Sequence, residues 1–500
     1  MFKKDEIMEH YLLAIDQGTT NSRAIIFNQR GEIISQHEIG LQQSFPHDGW
    51  VEQDPEEMFN NTVTCCRKAM KTAGVTASHI AAIGISNQRE TTIIWDKQTG
   101  KHIYPAIVWQ DRRTSDICNQ IANSPIGHQI KHKTGLLLDP YFSATKIMWI
   151  LDHVRDAREH AEHGELLFGT VDTYLLWKLT SGKAHATDVT NASRTLLFNI
   201  HTQEWDKDIL SALNIPRQLL PSVHDNTAHF GQTDASLFGN AIPIAGMAGD
   251  QQAATIGQAC FQPGMVKVTY GTGCFMLLNT GVSVIESHHH LLSTIAYRIN
   301  NHVTYGLEGS IFSAGVTIKW LRDTLKIIES ADQTARMAES VPDAGGVYLV
   351  PAFTGLGAPY WDPKARGAFL GLTRNSHREH IVRAALESVA YQTRDLLTSM
   401  QNDVGTNIAI LRVDGGMSVN NWLMQFIGDI LHSQVQRPNC IETTALGAAY
   451  LAGLQIGMYS SLDEISRQWQ MNAEFKPSMS TDQRETLYHG WQQAVHRVLN

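Results

Sequence analysis

A carboxylate at the end of a buried strand is the first feature with chemical reach. Asp250 follows the apolar run Ile242-Pro243-Ile244-Ala245-Gly246, and a carboxylate at a strand end can take the proton of an attacking alcohol. Arg89-Glu90 is a complementary pair, with Glu90 able to accept from a hydroxyl and Arg89 able to donate to one. Such a pair suits a small polyol and penalises an analogue that lacks the hydroxyl. Trp109 and Phe275 offer apolar walls to CH and CH2 groups. Taken singly, each has a structural alternative: a surface charge pair, core aromatics, a helix N-cap. The set as a whole points to chemistry.

A second group of residues has the character of anion-binding turns. Thr19, Thr20, Asn21 and Thr272 offer hydroxyl, amide and backbone N–H donors beside glycines that let the chain come close to phosphate oxygens. A polyphosphate repels a carboxylate-lined site, so Mg2+ beside Asp16 is expected to reduce that repulsion and align the terminal phosphate. Asp414-Gly415-Gly416 forms a third glycine turn, on which a flat base and ribose can lie against backbone. No G-x-x-x-x-G-K-[ST] is present, so the P-loop route to a nucleotide is excluded, and the protein kinase signatures are missing as well.

The elements that must position these residues follow from local pattern. Leu12 to Asp16 reads as a buried strand, Gly18-Thr19-Thr20 as a tight turn and Arg23 to Phe27 as the returning strand. Past the midpoint Val266 to Tyr270, Gly271-Thr272-Gly273 and Cys274 to Leu278 repeat that grammar, so each half carries one hairpin able to approach an anion. Asp54-Pro55-Glu56-Glu57 supplies an N-cap, a proline at the first helical position and acids in the first turn, with Met58, Val63 and Ala69 on the apolar face. Ser376-His377-Arg378-Glu379 is expected to act as a capping box ahead of the apolar face Ile381, Ala385, Leu386, Val389 and Leu396. Alternating strands and helices give an α/β fold.

With 500 residues the chain exceeds one comfortable core, and two domains are expected, 9–257 and 258–500, with the boundary near Ile256 to Pro263. A hydrophobic share of 43% and a charged share of 18% match a globular protein rather than a disordered one. The net charge of −9 argues against sequence-independent binding of nucleic acid or anionic lipid, which leaves small molecules as the better partner class. No signal core or membrane span is expected, and the protein is placed in the cytoplasm. Six cysteines without zinc-like spacing are expected as reduced thiols, and His288-His289-His290 as a solvated loop rather than a metal site.

Two hairpins plus a late glycine turn of the adenosine type resemble the actin-like ATPase superfamily. Within it, Tyr141 to His153 resembles the first signature of the FGGY carbohydrate kinases, and Gly367 to Leu372 with His380-Ile381 and Ala384 to Glu387 resembles the second. Finer matches are to members acting on glycerol: Asp16-Gln17-Gly18-Thr19-Thr20, Asn87 to Thr92, Trp109-Gln110, Gly169 to Thr173, Gly249 to Ala253, Thr269 to Phe275 and Pro351 to Tyr360. The resemblance runs from about Leu12 to Gly457. It implies two actin-like (ribonuclease H-like) domains with mixed sheets flanked by helices, an active site in the interdomain cleft, and transfer of the γ-phosphoryl group of ATP to glycerol.

By the same resemblance Asp250 is the general base; Arg89, Glu90, Tyr141, Asp250 and Gln251 hold the glycerol hydroxyls, and Trp109 and Phe275 flank its carbons. Thr19, Thr20, Asn21, Arg23, Thr272, Gly315, Gly416 and Asn420 fall where the family holds ADP or ATP, and Asp16 where it holds Mg2+ through water. Assembly as a homodimer or homotetramer is expected. Lys319 stands where a glutamine is common and is left out of the site. Gly231 to Asn240 lacks the glycine-rich, arginine-bearing loop with which some members bind fructose bisphosphate, and no histidine stands where others are phosphorylated, although His229 is close. The competing readings are a kinase for another polyol or ketose and a non-metabolic actin-like ATPase, against which the lack of an appended peptide-binding domain counts.

Overall fold

The computed structural model describes residues 10–362 and 364–499. They divide into two units: residues up to Ala259 with Ser293–Tyr305 and Thr443–Gln468, and Cys260–Leu292 with Gly306–Glu442 and the chain from Trp469 onward.

In the first unit a six-stranded mixed sheet has the spatial order Thr227–Gln232, Pro243–Gly249, Ile80–Asn87, Tyr11–Gln17, Asn21–Phe27, Ile33–Gly40. Tyr11–Gln17, Ile80–Asn87 and Pro243–Gly249 run parallel to one another, while the hairpin return Asn21–Phe27 runs antiparallel. Strands in the middle of a sheet covered on both faces read as near-continuous apolar runs. Leu12 to Ile15 and Ile83 to Ile85 show that pattern and are buried.

The helix Pro55–Ala73 starts where local chemistry directs it. The Asp54 carboxylate accepts from the Glu56 N–H at 2.9 Å, Pro55 opens the first turn, and Gly74 at φ 69° closes the helix. Its buried face is Met58, Val63, Cys65, Cys66, Ala69 and Met70. Behind the sheet the helix Thr443–Gln455 packs so closely that a Cβ on Gly447 would lie 1.8 Å from the Ala253 carbonyl oxygen, and one on Gly84 would lie 2.0 Å from that of Ala448. Only glycine permits that approach, which lays the helix Thr443–Gln455 against the sheet at Gly84 and against the helix Asp250–Gly257 at Gly447.

In the second unit Val266–Tyr270 pairs antiparallel with Cys274–Gly281 and parallel with Ile410–Asp414, and the ladder continues through Gln434–Pro438 to Met471–Phe475. The helix Arg378–Val404 covers this sheet with Leu386, Val389 and Leu396 in a core shared with Val268, Met276, Val413 and Ile427. Its start differs from the capping box expected at Ser376. The N-cap is His377, whose N–H donates to His380 Nδ1 at 3.0 Å, while Ser376 Oγ accepts from the Thr373 N–H and Glu379 pairs with Arg378. The imidazole three residues on competes for the role that the glutamate pattern suggested.

Asp395 on that helix is buried and accepts from Tyr488 Oη at 2.5 Å, Trp491 Nε1 at 2.8 Å and Tyr360 Oη at 3.0 Å, which ties the terminal helix Thr481–Leu499 and the Pro351 to Tyr360 segment to one carboxyl. Burial pushes its pKa up to about 6, with the hydroxyl and indole donors holding it down. The folded state therefore keeps a proton that the unfolded chain releases near pH 4, so this stabilisation is full below pH 4 and lost as pH rises through 6. The stability advantage of wild type over Asp395→Asn is expected to shrink by roughly 3 kcal/mol between pH 4 and 7. Denaturant unfolding of both proteins across that range measures it, and a constant difference would exclude Asp395 as the titrating group.

All six cysteines are free, and five are buried. Burial raises the Cys118 and Cys260 thiols to about 12 and Cys65 to about 11, which leaves little reactive thiolate. The three-histidine loop is anchored: Asp403 accepts from Ser287 Oγ at 2.5 Å and from the His288 N–H at 3.0 Å, and meets His289 Nδ1 at 2.7 Å. Among the described residues no helix is long and apolar enough to cross a membrane.

Candidate active site

Sheet register brings the first unit's candidate residues to one edge. Gln17 pairs with Asn87, and Asn87 pairs with Gly249, so three parallel strands end level with one another. The residues that follow are Gly18-Thr19-Thr20, Gln88-Arg89-Glu90 and Asp250-Gln251. The carboxyl ends of parallel strands are the usual place for a ligand in an open α/β sheet.

Arg89 is the centre of the charge pattern. Its Nε lies 3.2 Å from Asp250 Oδ1 and 3.8 Å from Glu90 Oε1, and its Nη1 donates to Gln252 Oε1 at 3.1 Å. The Arg89 and Glu90 side chains are each 2% exposed, whereas that of Asp250 is 32% exposed, so Asp250 keeps an open side toward an incoming ligand. Asp250 opens its helix, and its Oδ1 also accepts from the Gln251 N–H at 2.7 Å. Glu90 sits at φ 60° and accepts at 2.6 Å from Nε of Arg194, a fully buried guanidinium that the sequence reading did not include.

Trp109 joins the charged cluster to the first hairpin. Its Nε1 donates to Thr19 Oγ1 at 2.9 Å, and its ring meets Tyr141 edge-on at 5.5 Å. Thr19 is held a second time, its carbonyl accepting from Gln53 Nε2 at 2.5 Å, while Gln53 in turn accepts from Gln88 at 2.8 Å. Tyr141 is placed by its backbone. Its N–H donates to Asp139, which is clamped by Arg112, and its carbonyl accepts from Lys146 Nζ at 2.6 Å. Lys146 is wholly buried, and burial lowers it to about 8, with Glu90, Asp111 and Asp139 acting in the opposite direction. Lys146 lies inside the Tyr141 to His153 pattern, so its position was visible in the sequence although its role was not.

Other first-unit candidates surround the hairpin. Asp16 pairs with Arg23 across the two strands. Asn21 Nδ2 donates to Glu38 at 3.2 Å, and Arg23 Nε lies 3.7 Å from the same carboxylate, so both side chains are steered across to Glu38 on the neighbouring strand Ile33–Gly40. Thr20 is exposed on the turn.

In the second unit Thr272, Gly315, Gly416 and Asn420 gather around the other hairpin. The Gly315 N–H donates to the Gly271 carbonyl at 3.0 Å, and the N–H groups of Ala314 and Val316 both donate to the Thr272 carbonyl. A Cβ on Gly315 would lie 2.5 Å from the Gly271 oxygen and 3.5 Å from Met417 Sδ, next to Gly416. Asn420 caps the helix Asn421–Leu431 by accepting from the Leu423 N–H at 3.0 Å, and its Nδ2 reaches Thr334. Thr269 and Asp414 are register partners, so this hairpin and the glycine turn also follow neighbouring parallel strands. Phe275, expected opposite Trp109, belongs to this unit and pairs with Thr269. Lys319 is exposed on the helix Gly315–Asp323.

Family models assign the two halves of this arrangement. Residues 11–257 match the N-terminal domain of the FGGY family of carbohydrate kinases, and residues 266–456 match its C-terminal domain. The chain belongs to the FGGY family of carbohydrate kinases. This FGGY kinase is 59% identical to a glycerol kinase of Coxiella burnetii, with 98% of each chain covered. It is 58% identical to glycerol kinase 1 of Pseudomonas aeruginosa, with 98% of this chain and 99% of that one covered. Among solved structures it is similar to Plasmodium falciparum glycerol kinase with ADP, at a TM-score of 0.91 and 37% identity, over 98% of this chain and 99% of that one. The two-domain α/β fold with mixed sheets matches the FGGY kinase structures.

Proposed function

We propose that this FGGY kinase is a cytoplasmic enzyme that transfers the γ-phosphoryl group of ATP to glycerol, giving sn-glycerol 3-phosphate and ADP. One observation carries the reading: Asp250, Arg89-Glu90 and the Thr19 hairpin all leave one edge of one sheet, in a chain 59% identical over its length to a glycerol kinase. Asp250 is the general base. Its carboxylate accepts the proton of the attacking hydroxyl, and Arg89 at 3.2 Å holds that carboxylate in place and donates to the polyol. Glu90 accepts from a second hydroxyl, Tyr141 and Gln251 complete the hydrogen bonding, and Trp109 and Phe275 wall the carbons.

The backbone and side-chain donors of Thr19, Thr20, Asn21, Arg23 and Thr272 meet the phosphates, and Gly315, Gly416 and Asn420 the adenosine end. Asp16 is the one carboxylate assigned to Mg2+. Among the described residues no group of three or more His, Cys, Asp or Glu could hold a metal. A single carboxylate suits an ion held by water and phosphate oxygens. Held beside Asp16, such an ion would supply charge neutralisation for the polyphosphate. Assembly as a homo-oligomer is part of the same reading.

The test is a coupled assay with ATP, Mg2+ and a panel of polyols and ketoses, with the phosphorylated product identified. Glycerol is expected to give the highest kcat/KM. ADP release without a phosphorylated polyol, or a clear preference for a sugar, would overturn the assignment. Because Trp109 both walls the polyol and anchors Thr19, Trp109→Ala is expected to raise the KM for glycerol by about tenfold or more with a smaller change in kcat. Unchanged glycerol KM would make Trp109 a packing residue only.

A further inference from the structure

Behind the side chains assigned to substrate, the seven residues from Asp188 to Arg194 connect the strand ends that carry the chemistry. Asp188, Thr190, Asn191 and Arg194 are completely buried. The Thr190 hydroxyl donates to the Asp188 carboxylate and accepts from the Gly249 N–H at 2.9 Å, so it holds the residue immediately before Asp250. On the other side Asn191 and Asn87 exchange amide hydrogen bonds of 2.9 and 3.1 Å, and Asn191 also donates to Asp188 at 2.7 Å. Asn87 immediately precedes Gln88-Arg89-Glu90. Asn226 Nδ2 fixes Asp188 from a third direction, at 2.9 Å, and donates to the Met247 carbonyl on the strand leading to Gly249. Arg194, at the end of the same segment, clamps Glu90.

We propose that Thr190 is a positioning residue for the phosphoryl transfer, its hydroxyl setting the Asp250 carboxylate against Arg89 by holding the Gly249 amide. This rests on the reading of Asp250 as the base. The coupling is mechanical. Gly249 has no slack, since a Cβ there would lie 2.6 Å from Arg89 Cδ, so displacing its backbone moves Asp250 and crowds Arg89 together. Small displacements of a reacting group are costly in rate because they spoil the attack geometry.

Thr190→Val keeps shape and removes both the acceptor for Gly249 and the donor to Asp188, whereas Thr190→Ser retains both. With the full-length protein, Thr190→Val is expected to lower kcat for glycerol by about 10- to 100-fold. The KM for ATP and the affinity for ADP should stay within about twofold, because the phosphate hairpins are not touched. Thr190→Ser should recover most of the loss. Hydrogen exchange in the peptide containing Gly249 should accelerate in Thr190→Val and not in Thr190→Ser. A purely structural role would lower the unfolding temperature but leave kcat of the folded enzyme within twofold, and that result would overturn the proposal. So would equal impairment of the serine variant. If wild type fails to phosphorylate glycerol, the functional reading falls by itself. The exchange measurement then still decides the anchoring: faster exchange upholds it and unchanged exchange ends it.

Discussion

Asp250→Asn is expected to lower kcat by about 10²–10⁴ while leaving nucleotide affinity within about twofold. The substitution preserves shape, and the amide oxygen can still accept from Arg89 Nε and from the Gln251 N–H, the two partners of Oδ1. What it removes is proton acceptance. A carboxamide cannot take the hydroxyl proton as the phosphoryl group arrives, so the loss falls on the chemical step rather than on binding. Steady-state kinetics with glycerol and ATP, together with calorimetric titration of ADP, separate the two. Turnover within about threefold of wild type would show that the attacking hydroxyl loses its proton without Asp250.

What could be read from the sequence follows the range of the interactions involved. The hairpins Tyr11–Gln17 with Asn21–Phe27 and Val266–Tyr270 with Cys274–Gly281 were legible because strand periodicity and glycine turns are local signals. The same holds for the helix after Asp54 and for Asp250 at the end of Pro243–Gly249. The residues that hold the site in place were not legible. Arg194 meets Glu90 across 104 positions of sequence, Asn191 meets Asn87 across the same separation, and Gln53 meets Gln88 across 35. Nothing in a periodic pattern distinguishes a buried arginine with a distant carboxylate from an exposed one. Burial of Asp188 illustrates the point: desolvation, with the neighbouring Asp172 carboxyl, pushes it up to about 7, yet in the sequence it is one more acid, between Thr187 and Val189. His288 and His290 are exposed, as a solvated loop requires, but the anchor of that loop was not legible, because Asp403 lies more than a hundred positions away. The cap of the helix Arg378–Val404 failed for the opposite reason, two local signals competing within four residues.

Glu90 separates holding the fold from holding the substrate. Its carboxylate and the Arg194 guanidinium are 2% and 0% exposed and 2.6 Å apart, and Arg89 stands 3.8 Å away. Glu90→Ala removes one partner of a buried pair, and the cost expected is about 3–5 kcal/mol, seen as a lower unfolding temperature and poor soluble yield. The backbone contributes nothing to that loss, because alanine and glutamate bear the same strain at φ 60°. Replacing both partners, Glu90→Leu with Arg194→Met, should restore most of the stability, since an apolar pair of similar volume is commonly neutral or better. The methionine would lie against the Tyr141 and Phe142 rings that the guanidinium now faces at 5.5 and 5.3 Å. Glycerol recognition should not return with the fold. The hydroxyl that donated to Glu90 would lack its acceptor, and the KM for glycerol is expected to stay about 10²-fold or more above wild type. A double variant that is both stable and normal in KM would reduce Glu90 to a counter-ion for Arg194. One that is stable and defective assigns the carboxylate to the polyol, because the structural term has then been cancelled within the same protein.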